Sequence, residues 1–278
     1  MVMETGLKNK HVLITGASGG IGVELTKLFL SEGSRVTAAY HRSTTGLKRI
    51  VHDWQRQAIM VAADIRSEAE VKSLFEQANA AFGRVDILVA NAGIANLEKA
   101  PIHEMDLKQW ENTLAVNLTG TFLSAKHFFQ NLERYRGECA SLILVGSTAG
   151  LFGEAWFCDY STSKAAMYGL LMSLKNEIVY LAPKGRVNLV NPGWTLTPMS
   201  EDTLKDSKKV KRILQTIPMR KTAVPADIAN AILFLSSDIL SGHISGQAIT
   251  IAGGMEGRVL FAPDEIHLEK DSGDRDRT

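Results

Sequence analysis

The sequence predicts a single doubly wound α/β domain, a seven-stranded parallel sheet with helices on both faces. Three observations predict it. Short apolar runs without polar alternation recur along the chain, as expected of strands buried on both sides. Helical periodicities separate those runs, so each strand returns to the sheet by a crossover. Glycine-rich, Asn-Ala-Gly and Asn-Pro-Gly turns follow several runs, where a parallel sheet opens its ligand crevice.

His11-Val12-Leu13-Ile14-Thr15 is the first run, and Leu25, Leu28 and Phe29 set the period of the helix behind it. Arg35 to Tyr40 reads as the second strand and Ala58 to Ala62 as the third, closing at Asp64. Val71, Leu74, Phe75 and Ala78 mark the next helix, and Val85 to Val89 the fourth strand. Asp106 to Asn117 and Leu118 to Tyr135 are predicted as two helices, ahead of a fifth strand at Ser141 to Val145. A long helix is predicted from about Asp159 to Leu181, then a sixth strand at Val187 to Val190. Pro225 suits a first helical turn, where its missing N–H leaves nothing unpaired, and Ile228, Ala231, Ile232 and Leu235 carry the apolar stripe. Ala248 to Ile251 is the seventh strand.

Two segments depart from this rhythm. Residues 197–221 form a polar, Lys-rich excursion at the usual place of a substrate lid. The acidic tail, residues 261–278, reads as a loose polar extension of a domain spanning residues 1–260.

With 278 residues, 45% of them hydrophobic, the chain suits one large domain with a substantial core. Its net charge is +1 and it has no basic stripe, which argues against a nucleic-acid partner. Cys139 and Cys158 are too few for a disulfide framework; they fit a reduced compartment, or simply buried packing. No apolar run is long enough for a bilayer and the opening residues form no signal segment, so no membrane association and a cytoplasmic location are expected, with an organellar address left open. The seven histidines are scattered, without metal-ligand spacing, so no metal is expected.

Gly16-x-x-x-Gly20-x-Gly22, between a strand and a helix, has the form of a phosphate cradle. The glycines permit a tight turn and close backbone approach, and the helix N-terminus then presents unpaired N–H groups to an anion. Taken alone, a glycine-rich turn without a ligand would look the same. Asp64 is placed either to accept from an adenine amino group or to cap the helix starting near Glu68. At the end of the second strand a free ribose diol usually meets a carboxylate. Here the residues are Tyr40-His41-Arg42-Ser43, with no acid. Arg42 and Ser43, with His41 as runner-up, offer donors to a 2′-phosphate, which favours NADP(H) over NAD(H). The competing account of Arg42 is a solvated surface arginine.

Tyr160 and Lys164 stand at i and i+4, so a phenol and an ammonium share one helix face about 5–6 Å apart at Cβ. A free phenol, with its pKa near ~10, exchanges protons poorly at neutral pH, and a neighbouring cation favours its ionised form. The pair therefore reads as a tuned acid/base, with Ser147 thirteen residues upstream.

Together these residues resemble the short-chain dehydrogenase/reductase family, which includes 3-oxoacyl-carrier-protein reductases and carbonyl reductases. The resemblance covers roughly residues 8–256 and rests on Thr15 to Gly22, Asn91-Ala92-Gly93, Asn117, Ser147, Tyr160-x-x-x-Lys164 and Asn191-Pro192-Gly193. It implies a Rossmann-type fold. It also implies Tyr160 as catalytic acid/base, Ser147 on the substrate oxygen, Lys164 binding ribose and lowering the phenol pKa, and Asn117 supporting a relay water. Cofactor contacts are implied for Gly16, Ser18, Gly20, Ile21 and Gly22, then Tyr40, His41, Arg42, Ser43, Asp64 and Ile65. Asn91, Ala92, Gly93, Tyr160, Lys164, Pro192, Gly193, Thr195 and Thr197 complete that set. Pairing into a homodimer or homotetramer through the Asp159–Leu181 helix is implied too, with Met167, Leu171, Leu174 and Tyr180 as candidate exposed apolar positions. The chain departs from the family at Ala90, Trp194 and Ala252, none of them in the catalytic set.

The expected activity is NADP(H)-dependent reduction of a small-molecule ketone, keto ester or ketose to a secondary alcohol. Gly153, Trp156, Phe157 and Trp194 are candidates for the substrate pocket, with Phe152 beside them; these aromatics serve equally as core packing. Glu154 is by itself too local a clue to assign a charged substrate. A 3-oxoacyl-thioester reductase is the alternative if the lysines of residues 205–221 form a docking patch instead of a solvated helix face. A non-catalytic NADP(H)-binding regulator or scaffold is the alternative from another class.

Overall fold

A computed structural model describes residues 4–96 and 99–268. The first half alternates strictly: β1 (His11–Ile14), α1 (Gly20–Ser31), β2 (Arg35–Tyr40), α2 (Leu47–Asp53), β3 (Ala58–Ala62), α3 (Glu68–Phe82) and β4 (Ile87–Ala90). Then come α4 (Leu107–Leu114), α5 (Gly120–Arg134), β5 (Cys139–Val145), α6 (Thr148–Phe152), α7 (Cys158–Ala165), α8 (Met167–Glu177) and β6 (Lys184–Pro192). The last part holds α9 (Glu201–Leu204), α10 (Ser207–Leu214), α11 (Pro225–Ser236), α12 (Asp238–Ser241) and β7 (Ala248–Ile251).

All seven strands are parallel, in the order β3-β2-β1-β4-β5-β6-β7. Successive side chains of a strand serve opposite faces. Leu13, Leu142 and Leu144 join Leu74, Phe128, Leu132 and Leu171 in one core, under α3, α5 and α8. Val12, Ile14, Ile143 and Val145 join Leu25, Phe29, Ile228 and Ile232 in the other, under α1 and α11. This is the doubly wound arrangement the apolar runs predict. Strand order reverses between β1 and β4, which opens the crevice beyond their carboxyl ends.

Several local expectations need correction. The two helices predicted from Asp106 to Tyr135 are one continuous run, α4 and α5 joined by a π-helical turn at Ala115–Thr119. No proline falls at that join, and Gly120, which opens α5, keeps helical dihedrals, so nothing there stops a helix. The helix predicted from Asp159 to Leu181 is instead interrupted at Ala166, between α7 and α8. Met167 and Leu171 are buried in the core and Leu174 packs against it, while the exposed apolar side chains of this region are Tyr168, Met172, Val179 and Tyr180.

The start of the C-terminal tail is packed, not loose. Ile266 is buried with Ile213, Leu214 and Ile217, and Met255, Phe261 and Leu268 pack around them. The N–H groups of Leu260 and Phe261 donate to the Gln215 carbonyl, the Gln215 side chain donates to Phe261 O at 2.7 Å, and Arg220 stacks 4.0 Å over the Phe261 ring. Three apolar side chains are enough to hold an otherwise polar segment. Residues 269–278 of the predicted extension lie outside the described residues.

Candidate active site

The strand ends meet through hydrogen bonds between side chains and the main chain. Thr15 Oγ1, just beyond β1, accepts the N–H groups of Asn91 and Ala92 at 3.1 Å each, and Asn91 Nδ2 donates back to the carbonyls of Thr15 and Gly16. Gly16 sits at φ 63°, where a Cβ would stand 2.7 Å from Ala92 Cα. Only glycine fits that left-handed turn. Helix α1 follows with no side chain capping its first turn, so its leading N–H groups face the cavity unpaired, as anion-binding helix ends do.

One cavity of about 780 Å³ runs from this cradle across the sheet ends. Gly16, Ser18, Gly20, Ile21, Tyr40, His41, Arg42, Ser43, Asp64, Ile65, Asn91, Ala92 and Gly93 line its nucleotide-sized arm. Ser147, Gly153, Phe157, Tyr160, Lys164, Pro192, Gly193, Trp194, Thr195 and Thr197 line the rest. Its size and glycine-floored arm fit a dinucleotide with room for a small molecule beside it.

Three predicted residues do not line the cavity. Gly22 lies beneath it, packed on Gly16 and Ala17. Trp156 turns away: its ring is half exposed, with the Lys99 ammonium 5.0 Å over it, so the aromatic wall consists of Phe152, Phe157 and Trp194. Asn117, fully buried in the π-helical turn, is a clamp. Its Oδ1 accepts Ile94 N–H at 2.8 Å, and its Nδ2 donates to Ile94 O and to Ser163 Oγ, the neighbour of Lys164.

Asp64 does not cap α3; Ser67 does, accepting the N–H of Glu70. Asp64 is gripped instead by Arg66, whose guanidinium reaches both carboxylate oxygens at 2.6–3.0 Å and also donates to Asn112 at 3.1 Å. That grip lowers the Asp64 pKa to about 2. Arg66 was missed by sequence reasoning, although an Asp two residues before an Arg is a local pairing signal. Met199, Thr203 and Met255 also line the cavity and carry no motif.

The proton-transfer pair differs from expectation in one respect. Burial pushes the Tyr160 phenol above its ordinary range, with the Ser147 hydroxyl working the other way through its hydrogen bond. Lys164 Nζ donates to Val145 O at 2.9 Å and stands 5.8 Å from the Tyr160 ring centroid. Burial lowers its pKa from 10.5 to about 8. Between pH 8 and 10.5 the unfolded chain holds the Lys164 proton and the folded chain does not, so stability rises with pH across that window. Relative to Lys164→Met, wild-type stability is expected to gain about 3 kcal/mol over this range. Parallel pH–stability curves in denaturant titrations of the two proteins would contradict this.

The sequence profile of the short chain dehydrogenases matches residues 10–208. The chain belongs to this family. Its members are oxidoreductases that use a nicotinamide cofactor, which agrees with the cradle and cavity above. The chain is 33% identical over 253 residues to the cis-4-hydroxycyclohexanecarboxylate dehydrogenase of Sinomonas cyclohexanicum, covering 91% of this chain and 98% of that one. It is 32% identical to a 3-oxoacyl-[acyl-carrier-protein] reductase of Synechocystis, covering 90% and 98%. Among solved structures, a Brucella melitensis short-chain dehydrogenase/reductase described as glucose/ribitol dehydrogenase superposes with a TM-score of 0.81 at 29% identity, covering 91% of this chain and 98% of that one.

Among the described residues no group of side chains could hold a metal ion, and no helix is long and apolar enough to cross a membrane.

Proposed function

We propose that the protein is an NADP(H)-dependent reductase that converts a ketone, keto ester or ketose to a secondary alcohol, reversibly. The observation that carries this reading is the convergence of Ser147, Tyr160 and Lys164 on the cavity that holds the glycine cradle. A bound nicotinamide supplies the hydride to the carbonyl carbon. The Ser147 hydroxyl donates to the carbonyl oxygen, and Tyr160 gives that oxygen its proton as negative charge develops. A phenol raised by burial is in its acid form at neutral pH, which suits the reductive direction. Lys164 would hold ribose hydroxyls, and with its pKa near 8 it can return a proton towards Tyr160. Asn117 is fully buried and off the cavity lining, so its part in this reading is to position the Lys164 helix through Ser163, while its main-chain carbonyl accepts Thr121 Oγ1.

Arg42, with His41 and Ser43, would hold the 2′-phosphate, and Tyr40 and Ile65 would flank the adenine. Asp64, paired with Arg66, presents little net negative charge against that phosphate. Arg42→Ala is expected to weaken NADPH relative to NADH by about 10–150-fold, the loss of a charge-assisted contact. Titration of both cofactors against both proteins checks it; equal losses would overturn the assignment.

Residues 197–221 act as the lid in this reading. Lys205 and Lys209 pair with Glu201 and Asp206, and Arg220 is committed to Phe261, which leaves a weak patch for an acidic carrier. The exposed face of α8 is assigned to a subunit contact in a homodimer or homotetramer. Gly169 lies on it in the first turn, with nothing within 4 Å of a Cβ there, so no contact within the single chain requires a glycine. A cytoplasmic setting suits Cys139 and Cys158, both free. The deciding experiment follows NADPH and NADH oxidation over ketones, keto esters, ketoses and 3-oxoacyl thioesters. Tight NADPH binding without oxidation on any of them would overturn the enzyme reading.

A further inference from the structure

The charged residues lining the cavity divide by position. Arg42, Asp64 and Arg66 stand at the ends of β2 and β3, where the adenosine end of a dinucleotide would lie, and Lys164 stands behind Tyr160. Among the described residues, Glu154 is the one remaining charge, on the loop between Phe152 and Phe157 that walls the substrate end. Glu154 is solvent-exposed at the cavity mouth; partial desolvation by its loop raises its carboxyl above the ordinary glutamate value, and Lys99 is the opposing charge acting on it among the described residues. The Lys99 ammonium is itself placed over the Trp156 ring.

The loop around Glu154 is held in place. The Glu154 N–H donates to Ser161 Oγ at 3.0 Å, one residue beyond Tyr160, and Phe157 N–H donates to Glu154 O at 3.1 Å. Trp156 is fixed at φ 68°, a left-handed conformation that costs a bulky residue about 1–3 kcal/mol, and its carbonyl accepts Ala100 N–H at 3.1 Å. This strained turn carries Trp156 out of the cavity and leaves Glu154 and Phe157 facing it. The main chain at Glu154 is thus tied through Ser161 to the helix that carries the reacting phenol.

We propose that Glu154 determines substrate choice by accepting a hydrogen bond from a substrate hydroxyl remote from the carbonyl, and by repelling substrates with a carboxylate at that place. This rests on the carbonyl-reductase reading of the same cavity. Because Glu154 is solvent-exposed, water replaces a missing hydroxyl and the hydroxyl gains only the net worth of one hydrogen bond, whereas a substrate carboxylate there meets a like charge.

The test uses cyclohexanones bearing at C3 or C4 hydrogen, a hydroxyl or a carboxylate, with NADPH, in wild type, Glu154→Leu and Glu154→Lys. Within each protein the readout is kcat/KM relative to unsubstituted cyclohexanone. Wild type is expected to favour a hydroxylated ketone by about 2–10-fold and to disfavour the carboxylates. Glu154→Leu should bring both ratios close to one, and Glu154→Lys should turn the carboxylates into preferred substrates. Thermal melts and NADPH titration identify a variant that has not folded, and the other variant then decides. Ketone turnover with the same ratios in wild type and folded variant overturns the role of Glu154 alone. No turnover of any ketone by wild type removes the carbonyl-reductase reading, and this inference with it.

Discussion

Tyr160→Phe is expected to lower kcat for carbonyl reduction by about 10²–10⁴-fold, the range for loss of a positioned general acid. The change removes one oxygen and keeps the ring. Lys164 is oriented by Val145 O at 2.9 Å, so its position for ribose does not depend on the phenol. Ser147 still offers a hydrogen bond to the substrate oxygen, so the developing charge is stabilised but no longer quenched by a proton. NADPH affinity should therefore move little while turnover collapses. Rates of NADPH oxidation at saturating ketone, with cofactor titration alongside, separate the two effects. Turnover comparable to wild type would take the proton-donor role away from Tyr160.

The second large effect is structural and lies just beneath the cradle. A Cβ at Gly22 would stand 2.3 Å from Gly16 O, 2.7 Å from Ala17 Cα and 2.8 Å from Ala17 C. All three are main-chain atoms of the turn that shapes the cavity floor, so no side chain can swing aside. Gly22→Ala must push α1 away from the end of β1. Overpacking typically costs about 1–3 kcal/mol, and a clash against backbone belongs at or above the top of that range. At about 2–4 °C per kcal/mol for a domain approaching this size, Tm should fall by roughly 6–12 °C. The same displacement misaims the N–H groups of Gly20 and Ile21, so NADPH affinity is expected to drop at least about tenfold, beyond the loss of one hydrogen bond. An unchanged melting curve and cofactor Kd would show that the turn yields more easily than its geometry implies.

The contrast between these sites shows what a sequence discloses. Strands β1 to β7 were legible because apolar runs are local, and the crevice was legible because its residues cluster at strand ends. Facing directions were less so. Trp156 and Phe157 look interchangeable as text, but one left-handed residue sends the first outward and the second inward. Met167 and Leu171, three and seven residues after Lys164, share its inner face and are buried, while Tyr168 and Met172 are exposed. The π-helical turn at Ala115–Thr119 carries no breaker residue to mark it. The phenol's direction of shift was also out of reach: an i+4 ammonium suggests a lowered pKa, whereas the depth at which the fold sets Tyr160 decides the opposite. Arg66 takes hold of Asp64 through side-chain geometry that no motif records.

The tail's grip on α10 has a consequence for the newborn chain. Ile213, Leu214 and Ile217 are covered by Met255, Phe261, Ile266 and Leu268, which are synthesised about forty to fifty residues after them. At about 5–20 residues per second, the 50 or so residues from Ile217 to Ile266 take roughly 2–10 s to follow. During that interval β1 to β6 already have the residues they need to pair, while the greasy side of α10 still faces water. Until the tail arrives that surface is open to any apolar partner, and the folded molecule hides it.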